Sequence, residues 1–162
     1  MPRCVGDGGE AKEGLGNRVT LIMDVHEPEV RSYNMSQIKG KDTKPEMIVR
    51  KFLFSKGFRF RLHVKTLPGK PDIVLPKYKT VVFVHGCFWH GHEDCKYFVV
   101  PKTRTDWWLN KINTNKRNDE RVTTLLRKEG WRIISLWECA LKSYSKEKVL
   151  NELLTSLRKS ST

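Results

Sequence analysis

The sequence predicts one α/β domain built around a mixed sheet. Short β-rich runs alternate with stretches of helical periodicity in the order α-β-β-β-α-β-α, which favours this class. A length of 162 residues suits one domain, and a hydrophobic content of 38% excludes a wholly disordered chain. No apolar run approaches the roughly 20 residues that span a bilayer, and no apolar segment follows the N-terminus. We therefore expect a cytoplasmic protein without a membrane partner.

Composition divides the chain into three parts. Residues 1–22 are rich in glycine and charge and have no periodicity, so they are expected to form a disordered tail. Residues 23–44 are expected to form an ordered arm, and residues 45–160 the folded domain.

The first helix is predicted over residues 45–56. Pro45 suits the first turn, and Thr43 or Lys44 lies at the position of the N-cap. Gly57 is placed to end the helix.

Extended runs follow. The apolar and basic residues of 58–64 alternate as in a half-buried strand, and 72–75 is a short β-rich run. The run 80–86 begins with five residues almost wholly apolar, which indicates a central strand covered on both faces. The last strand is predicted over 131–137.

The remaining helices lie in the second half of the chain. Thr105 and Asp106 are expected to cap a helical region that ends at Gly130. The helices are predicted over residues 106–113, 116–129 and 146–158.

Positive charge is concentrated in two stretches. The chain has 31 Lys and Arg against 18 Asp and Glu, a formal net charge of +13. Most of the excess lies in 36–79 and 102–132, while 80–101 between them is almost uncharged and carries most of the Cys and His. This pattern fits a site that holds a phosphate backbone on both sides, although a solvated lysine-rich surface has the same composition.

Three cysteines and a histidine have the spacing of a tetrahedral zinc site: Cys87, His92, Cys95 and Cys139. Disulfides are disfavoured in a cytosolic protein, and buried structural thiols are the other alternative. On spacing alone, His85 or His90 could also be ligands. A site with four protein ligands has no open position for water, so the zinc would be structural.

A carboxylate and two histidines form a second group. Asp72 begins one predicted strand, and His85 ends the next, with His90 shortly after it. A carboxylate there could hold Mg²⁺ against a phosphate oxygen, and an imidazole could take a proton from water. The ordinary alternative is an aspartate that caps a turn beside core histidines.

Four segments together resemble the very short patch repair (Vsr) endonucleases. These are LPGKPDIV, FVHGCFWHGH, PKTRTDWWLNKI and EGWRIISLWECAL, and the similarity runs from Arg31 to Leu141. The resemblance implies a restriction-endonuclease-like fold for residues 45–160. It also implies an enzyme that nicks duplex DNA beside the thymine of a T·G mismatch left by deamination of 5-methylcytosine.

The resemblance assigns catalytic roles. Asp72 matches the essential Mg²⁺-binding aspartate, and one or two Mg²⁺ ions are implied. His90 matches the proposed general base, and His85 a second active-site histidine. Glu46 matches an acidic residue near the metal, and the backbone carbonyl of Val84 a further metal ligand.

The same resemblance implies contacts with DNA and zinc. The three aromatic residues that match the family's wedge into the base stack are Phe88, Trp89 and Trp108. Asn34 and Met35 belong to the arm that would grip the opposite groove. The three cysteines and His92 match the ligands of one structural Zn²⁺.

Two other functions remain open on the sequence. A restriction-type endonuclease of the same fold would cut paired DNA, and a zinc-stabilised DNA-binding module would not cut at all. The expected partner is mismatched duplex DNA in the bacterial nucleoid, with other repair proteins acting downstream. We expect a monomer, because cutting one strand requires one active site.

Overall fold

The computed structural model describes residues 40–142 and 144–159. Its centre is a four-stranded sheet in the order β1-β2-β3-β4. The strands are β1 (Arg61–Leu62), β2 (Ile73–Leu75), β3 (Thr80–His85) and β4 (Arg132–Trp137). Neighbours are antiparallel from β1 to β3, whereas β4 is parallel to β3. The predicted α/β class and mixed sheet are confirmed, and β3 is the central strand expected.

Helices cover both faces of the sheet. They are α1 (Lys44–Ser55), α2 (Thr105–Lys128), α3 (Glu138–Lys142) and α4 (Lys146–Lys159), and a 3-10 turn covers Pro76–Tyr78. The long helix α2 makes the crossover that a parallel β3–β4 pair requires. The short helix α3 was not predicted.

Side chains alternate between the two faces of the sheet, so two separate hydrophobic cores form, one on each face. Ile73 and Val82 pack with α1 and α4 on one face of the sheet. Val74 and Val81 pack on the other face, against Leu126 of α2. Because successive strand residues point to opposite faces, the sheet lies between two helical layers.

Helix α1 forms within one residue of its predicted bounds. Thr43 is its N-cap and accepts the backbone N–H of Glu46. After the helix, Gly57 has a φ of 83°, a left-handed conformation that favours glycine.

The structure corrects the prediction of two helices over 106–113 and 116–129, because α2 is continuous. The hydroxyl of Thr114 donates to the carbonyl of Asn110 at 2.8 Å, within the helix. Thr105 does not cap the helix as predicted. Its hydroxyl donates to the carbonyls of Pro101 and Lys102 instead.

The strand predicted over 58–64 is also corrected, because β1 contains two residues. Only Arg61 and Leu62 pair with the short strand β2. The next residue, His63, has a φ of 45°, which is incompatible with an extended strand.

The predicted tail of residues 1–22 lies outside the described residues, and so does most of the arm of residues 23–44, including Asn34 and Met35. In the ranges that the structure describes, no helix is long and apolar enough to cross a membrane.

Candidate active site and metal centre

An open cleft of about 1040 Å³ collects the predicted catalytic residues. It lies where β2 begins and β3 ends, which are adjacent because the two strands are antiparallel. The residues that line it belong to α1, the segment after β1, the ends of β2 and β3, the loop after β3, and α2. Among its lining residues are Glu46, Asp72, Val84, His85 and His90.

Asp72 is held at the floor of this cleft. Its Oδ2 atom accepts the backbone N–H of Val84 at 2.8 Å, across from β3. Burial raises the pKa of Asp72, the Val84 hydrogen bond opposes that rise, and the negative charge of Glu46 adds to it. A cation bound at Asp72 would offset the cost of keeping this carboxylate charged.

The two cleft histidines lie against each other, with ring centroids 4.3 Å apart. Burial, and then the neighbouring His90, lowers the pKa of His85 to about 4. His85 is therefore neutral at pH 7 and can donate or accept a hydrogen bond.

Asp119 orients His90. Its Oδ2 atom lies 2.6 Å from Nδ1 of His90. A carboxylate only accepts hydrogen bonds, so Nδ1 carries the proton of the neutral ring and Nε2 keeps a lone pair. This is the tautomer of a general base.

Glu46 lines the same cleft, but both of its oxygens have partners. Oε1 accepts the hydroxyl of Thr43 at 2.8 Å. Oε2 accepts the N–H of Asp42 at 3.0 Å and Arg50 at 2.6 Å. Arg50 is buried and also contacts Nε2 of His63 at 3.0 Å. The guanidinium of Arg50 thus lies between Asp42, Glu46 and His63. Glu46 affects Asp72 through its negative charge, which raises the pKa of Asp72.

The aromatic residues after β3 form one cluster with the start of α2. The ring of Phe88 lies 5.2 Å from that of Trp89 and 5.4 Å from that of Trp108. Trp108 is 8% exposed, whereas its neighbour Trp107 is 47% exposed. One tryptophan of the pair packs inward, and it is Trp108, which the resemblance places in the wedge.

The four residues with zinc spacing converge on one point. The sulfur atoms of Cys87, Cys95 and Cys139 and one nitrogen of His92 all lie within 4.8 Å of one another. No disulfide joins these three cysteines to one another. Burial raises the pKa of Cys87 to about 11, so a bound cation would be needed to keep it as thiolate. The donor set fits zinc, and the cluster is a candidate metal site.

The ring of Trp137 lies between this cluster and the cleft. It stacks on His92, with centroids 4.0 Å apart and planes 4° from parallel. Trp137 is also the register partner of His85, and their rings lie 5.3 Å apart. One indole therefore supports a candidate zinc ligand and a cleft histidine.

Comparison with known proteins decides the family. Residues 23–97 match the family model described as DNA mismatch endonuclease Vsr. The DNA mismatch endonuclease Vsr of Escherichia coli K12 is 45% identical over 134 residues, which are 83% of this chain and 84% of that protein. The chain belongs to the Vsr family.

Two further relatives are named type II nicking enzymes. V.NmeAIP of Neisseria meningitidis is 52% identical over 122 residues, 75% of this chain and 86% of its own length. V.XorIIP of Xanthomonas oryzae is 52% identical over 114 residues, 70% and 83% respectively. This Vsr chain is therefore a DNA endonuclease, and the alternative of a DNA-binding module without catalysis is excluded.

Sequence reasoning missed Asp119 in this Vsr chain, although a signal was present. The inward positions of α2 recur at intervals of four and three residues: Trp108, Ile112, Asn115, Asp119, Val122 and Leu126. Asn115 and Asp119 are the two polar residues of this otherwise apolar stripe. Asn115 donates to the carbonyl of Trp89 at 2.9 Å, so both polar residues hold the loop after β3.

Proposed function

We propose that this Vsr endonuclease nicks duplex DNA 5′ to the thymine of a T·G mismatch left by deamination of 5-methylcytosine, and that it requires Mg²⁺. One observation carries the proposal: the cleft joins a half-buried carboxylate, Asp72, to a neutral His85 and to His90 in the tautomer of a base. The Escherichia coli relative named a DNA mismatch endonuclease supports the choice of substrate.

The donors at Asp72 fit one or two Mg²⁺ ions. Mg²⁺ prefers oxygen ligands, and the carboxylate of Asp72 and the backbone carbonyl of Val84 are the proposed ones. Bound Mg²⁺ would neutralise negative charge on the phosphate and the leaving oxygen. Glu46 is held by Arg50 and is not a proposed ligand.

His90 and His85 divide the proton chemistry. Nε2 of His90 accepts a proton from the attacking water while Asp119 stabilises the imidazolium that forms. His85 stays neutral and donates a hydrogen bond near the leaving oxygen.

The aromatic cluster is the proposed wedge. A mismatch lowers the cost of opening the base stack, and an aromatic ring contributes about 1–3 kcal/mol per stacked base in single-strand binders. Phe88 and Trp89 are half-buried in the loop after β3 and can reach the stack. Trp108 supports both rings, so its own contact with DNA requires the cluster to open. Asn34 and Met35 remain proposed contacts from the arm.

Zinc is proposed to be structural. Cys139 lies on α3, while Cys87, His92 and Cys95 lie in the loop after β3. One ion would tie this loop to the end of β4, and its four protein ligands leave no open position for chemistry.

Charge around the cleft supports duplex DNA as the partner. Three lysines of the basic stretch line the cleft and are exposed: Lys41, Lys65 and Lys70. They can contact phosphates on one side of the bound strand. We propose a monomer with a restriction-endonuclease-like core that acts on DNA in the bacterial cytoplasm, ahead of other repair proteins.

The test uses end-labelled duplexes that differ in one base pair, T·G against C·G, with Mg²⁺ and in several flanking sequences. The proposal expects a nick in the thymine strand of the T·G duplex alone. Cutting of both strands in the paired duplex would favour the restriction-type endonuclease instead.

A further inference from the structure

We propose that His85, His90 and Asp119 form an open site for a transition-metal ion such as Zn²⁺, distinct from the cysteine cluster. An ion bound there would slow nicking, because it would hold the imidazole of His90 in the wrong tautomer. The inhibitory part rests on the proposed function, in which Nε2 of His90 accepts a proton.

The geometry that points to a metal is the convergence of three donor groups. One ligand atom from each residue lies within 4.8 Å of the others. The three residues come from the end of β3, the loop after it and the middle of α2. The side chains of His90 and Asp119 are 27% and 32% exposed, so an ion can reach them from solvent.

The donor chemistry separates this site from the proposed Mg²⁺ site. Two imidazoles and one carboxylate suit zinc and other first-row transition metals, while carboxylate, carbonyl and water suit magnesium. Three protein ligands also leave a fourth position open, unlike the four-ligand cysteine cluster. The same cleft thus holds a hard oxygen donor at Asp72 and a second donor set that includes two softer imidazole nitrogens.

Binding requires a small local movement. Nδ1 of His90 and Oδ2 of Asp119 are 2.6 Å apart, with the ring proton between them. Tetrahedral zinc ligands at about 2.0–2.1 Å from the ion lie roughly 3.3 Å from each other. The two side chains must therefore separate by about 0.7 Å, which partly exposed groups can do.

The ring proton accounts for inhibition. The ion takes the place of the proton on Nδ1, and that proton moves through water to Nε2, so the neutral ring keeps one proton. Nε2 then donates a hydrogen bond and no longer accepts the proton of the attacking water. The carboxylate of Asp119 would also bind the ion, so it could no longer stabilise the imidazolium of His90.

Zinc counting tests the site directly. Zn²⁺ is titrated calorimetrically into protein that already holds one structural zinc, without Mg²⁺ or DNA. We expect a second equivalent in the wild type that is absent in His90→Ala and in Asp119→Ala. Asp72→Asn, which alters the cleft outside the donor set, is the matched control and should retain it. A wild type that stops at one equivalent, or a second equivalent that persists in both Ala variants, overturns the site.

Nicking in the presence of saturating Mg²⁺ tests the inhibition. Added Zn²⁺ should slow nicking of the T·G duplex by about a hundredfold, the contribution of a general base. A weak chelator that leaves the structural zinc in the protein should restore the rate. A second bound zinc with an unchanged rate overturns the inhibition. Full nicking by His90→Ala that holds only the structural zinc would instead overturn the catalytic role of His90, while the zinc count would still test the metal site.

Discussion

At the scale of single residues, the hydrogen bond between Asp119 and His90 determines which imidazole nitrogen is basic. The carboxylate holds the proton on Nδ1, at 2.6 Å, and so leaves Nε2 free to accept one. A base in the other tautomer would donate to water and could not activate it.

Replacing Asp119 with Asn should therefore slow nicking by about a hundredfold, because the amide can donate to Nδ1 and favour the wrong tautomer. Binding to mismatched DNA should be unchanged. Single-turnover nicking and a binding titration measure the two effects. Asp106→Asn, an exposed acid in the first turn of the same helix, is the control and should nick normally. Equal rates for Asp119→Asn and the wild type would refute the assignment.

Asp42 provides a pH-dependent prediction. A hydrogen bond from Arg50, together with the charges of Arg50 and His63, holds the pKa of Asp42 below its ordinary value of 3.8. Because the pKa of Asp42 is lower in the folded protein, its ionised form stabilises the fold at pH values above 3.8. This stabilisation is lost as the pH falls through the pKa of the folded state.

Asp42→Asn should thus unfold at a lower urea concentration than the wild type at pH 7. The difference between the two proteins should shrink below about pH 4. Urea titrations at several pH values provide the measurement. A difference that stays constant into acid would mean that the ion pair contributes nothing to stability.

The cleft residues that lie at strand ends could be predicted from the sequence. Those that reach the cleft because helices pack on the sheet could not. Asp72 and His85 lie at the neighbouring ends of two antiparallel strands, so their proximity follows from the order of elements. Asp119 meets His90 because a helix packs across the sheet, which periodicity alone does not specify. Arg50 is buried as a charged residue, which the apolar pattern of α1 gave no reason to expect.

At the scale of elements, α2 and the loop after β3 pack closely against each other. Gly91 has a φ of 58°, and a Cβ there would lie 2.8 Å from Cγ2 of Ile112. Only glycine allows the loop to lie this close to the helix. The polar positions that looked like a break in the helix around residue 114 are where the loop binds, which explains why the two predicted helices are one.

Two tryptophans, Trp137 at the end of β4 and Trp131 just before it, form a matched pair for testing the loop after β3. Trp137 stacks on His92 and contacts His85, whereas Trp131 packs against the core beneath α2. Trp137→Leu should slow nicking about tenfold, a typical loss for a residue that orients a ligand. Its zinc content should remain one ion.

Trp131→Leu and Trp137→Leu should lower the melting temperature by similar amounts, because each removes a packed indole. Trp131→Leu should nevertheless leave the nicking rate unchanged. Metal analysis, thermal melts and single-turnover rates distinguish the two variants. The same rate loss in both would mean that Trp137 acts through stability alone.

Cys139 tests the link between α3 and the loop. Cys139→Ser should reduce the zinc content and lower the melting temperature, since it removes a ligand that arrives from a distant element. Cys4→Ser removes a thiol outside the proposed donor set and serves as the control. Unchanged zinc in Cys139→Ser would contradict the ligand set.

At the scale of the whole molecule, the fold brings the first basic stretch, through Lys41, Lys65 and Lys70, to one cleft between α1 and α2. Composition predicted a polyanionic partner from the net charge of +13. It could not predict how deep the cleft is or which residues line it, because both depend on the packing of two helical layers on one sheet. The family and the type of chemistry were predictable, since the motif residues lie close together in sequence.

The proposed function requires that this cleft cut one strand beside a mismatch and that Asp72 hold the metal ion needed for cutting. The most direct measurement is single-turnover nicking of a T·G duplex by the wild type and Asp72→Asn, with all DNA bound and Mg²⁺ present. We expect a nick in the thymine strand by the wild type and none by the variant, at equal DNA occupancy. A variant that nicks at the wild-type rate would contradict this requirement.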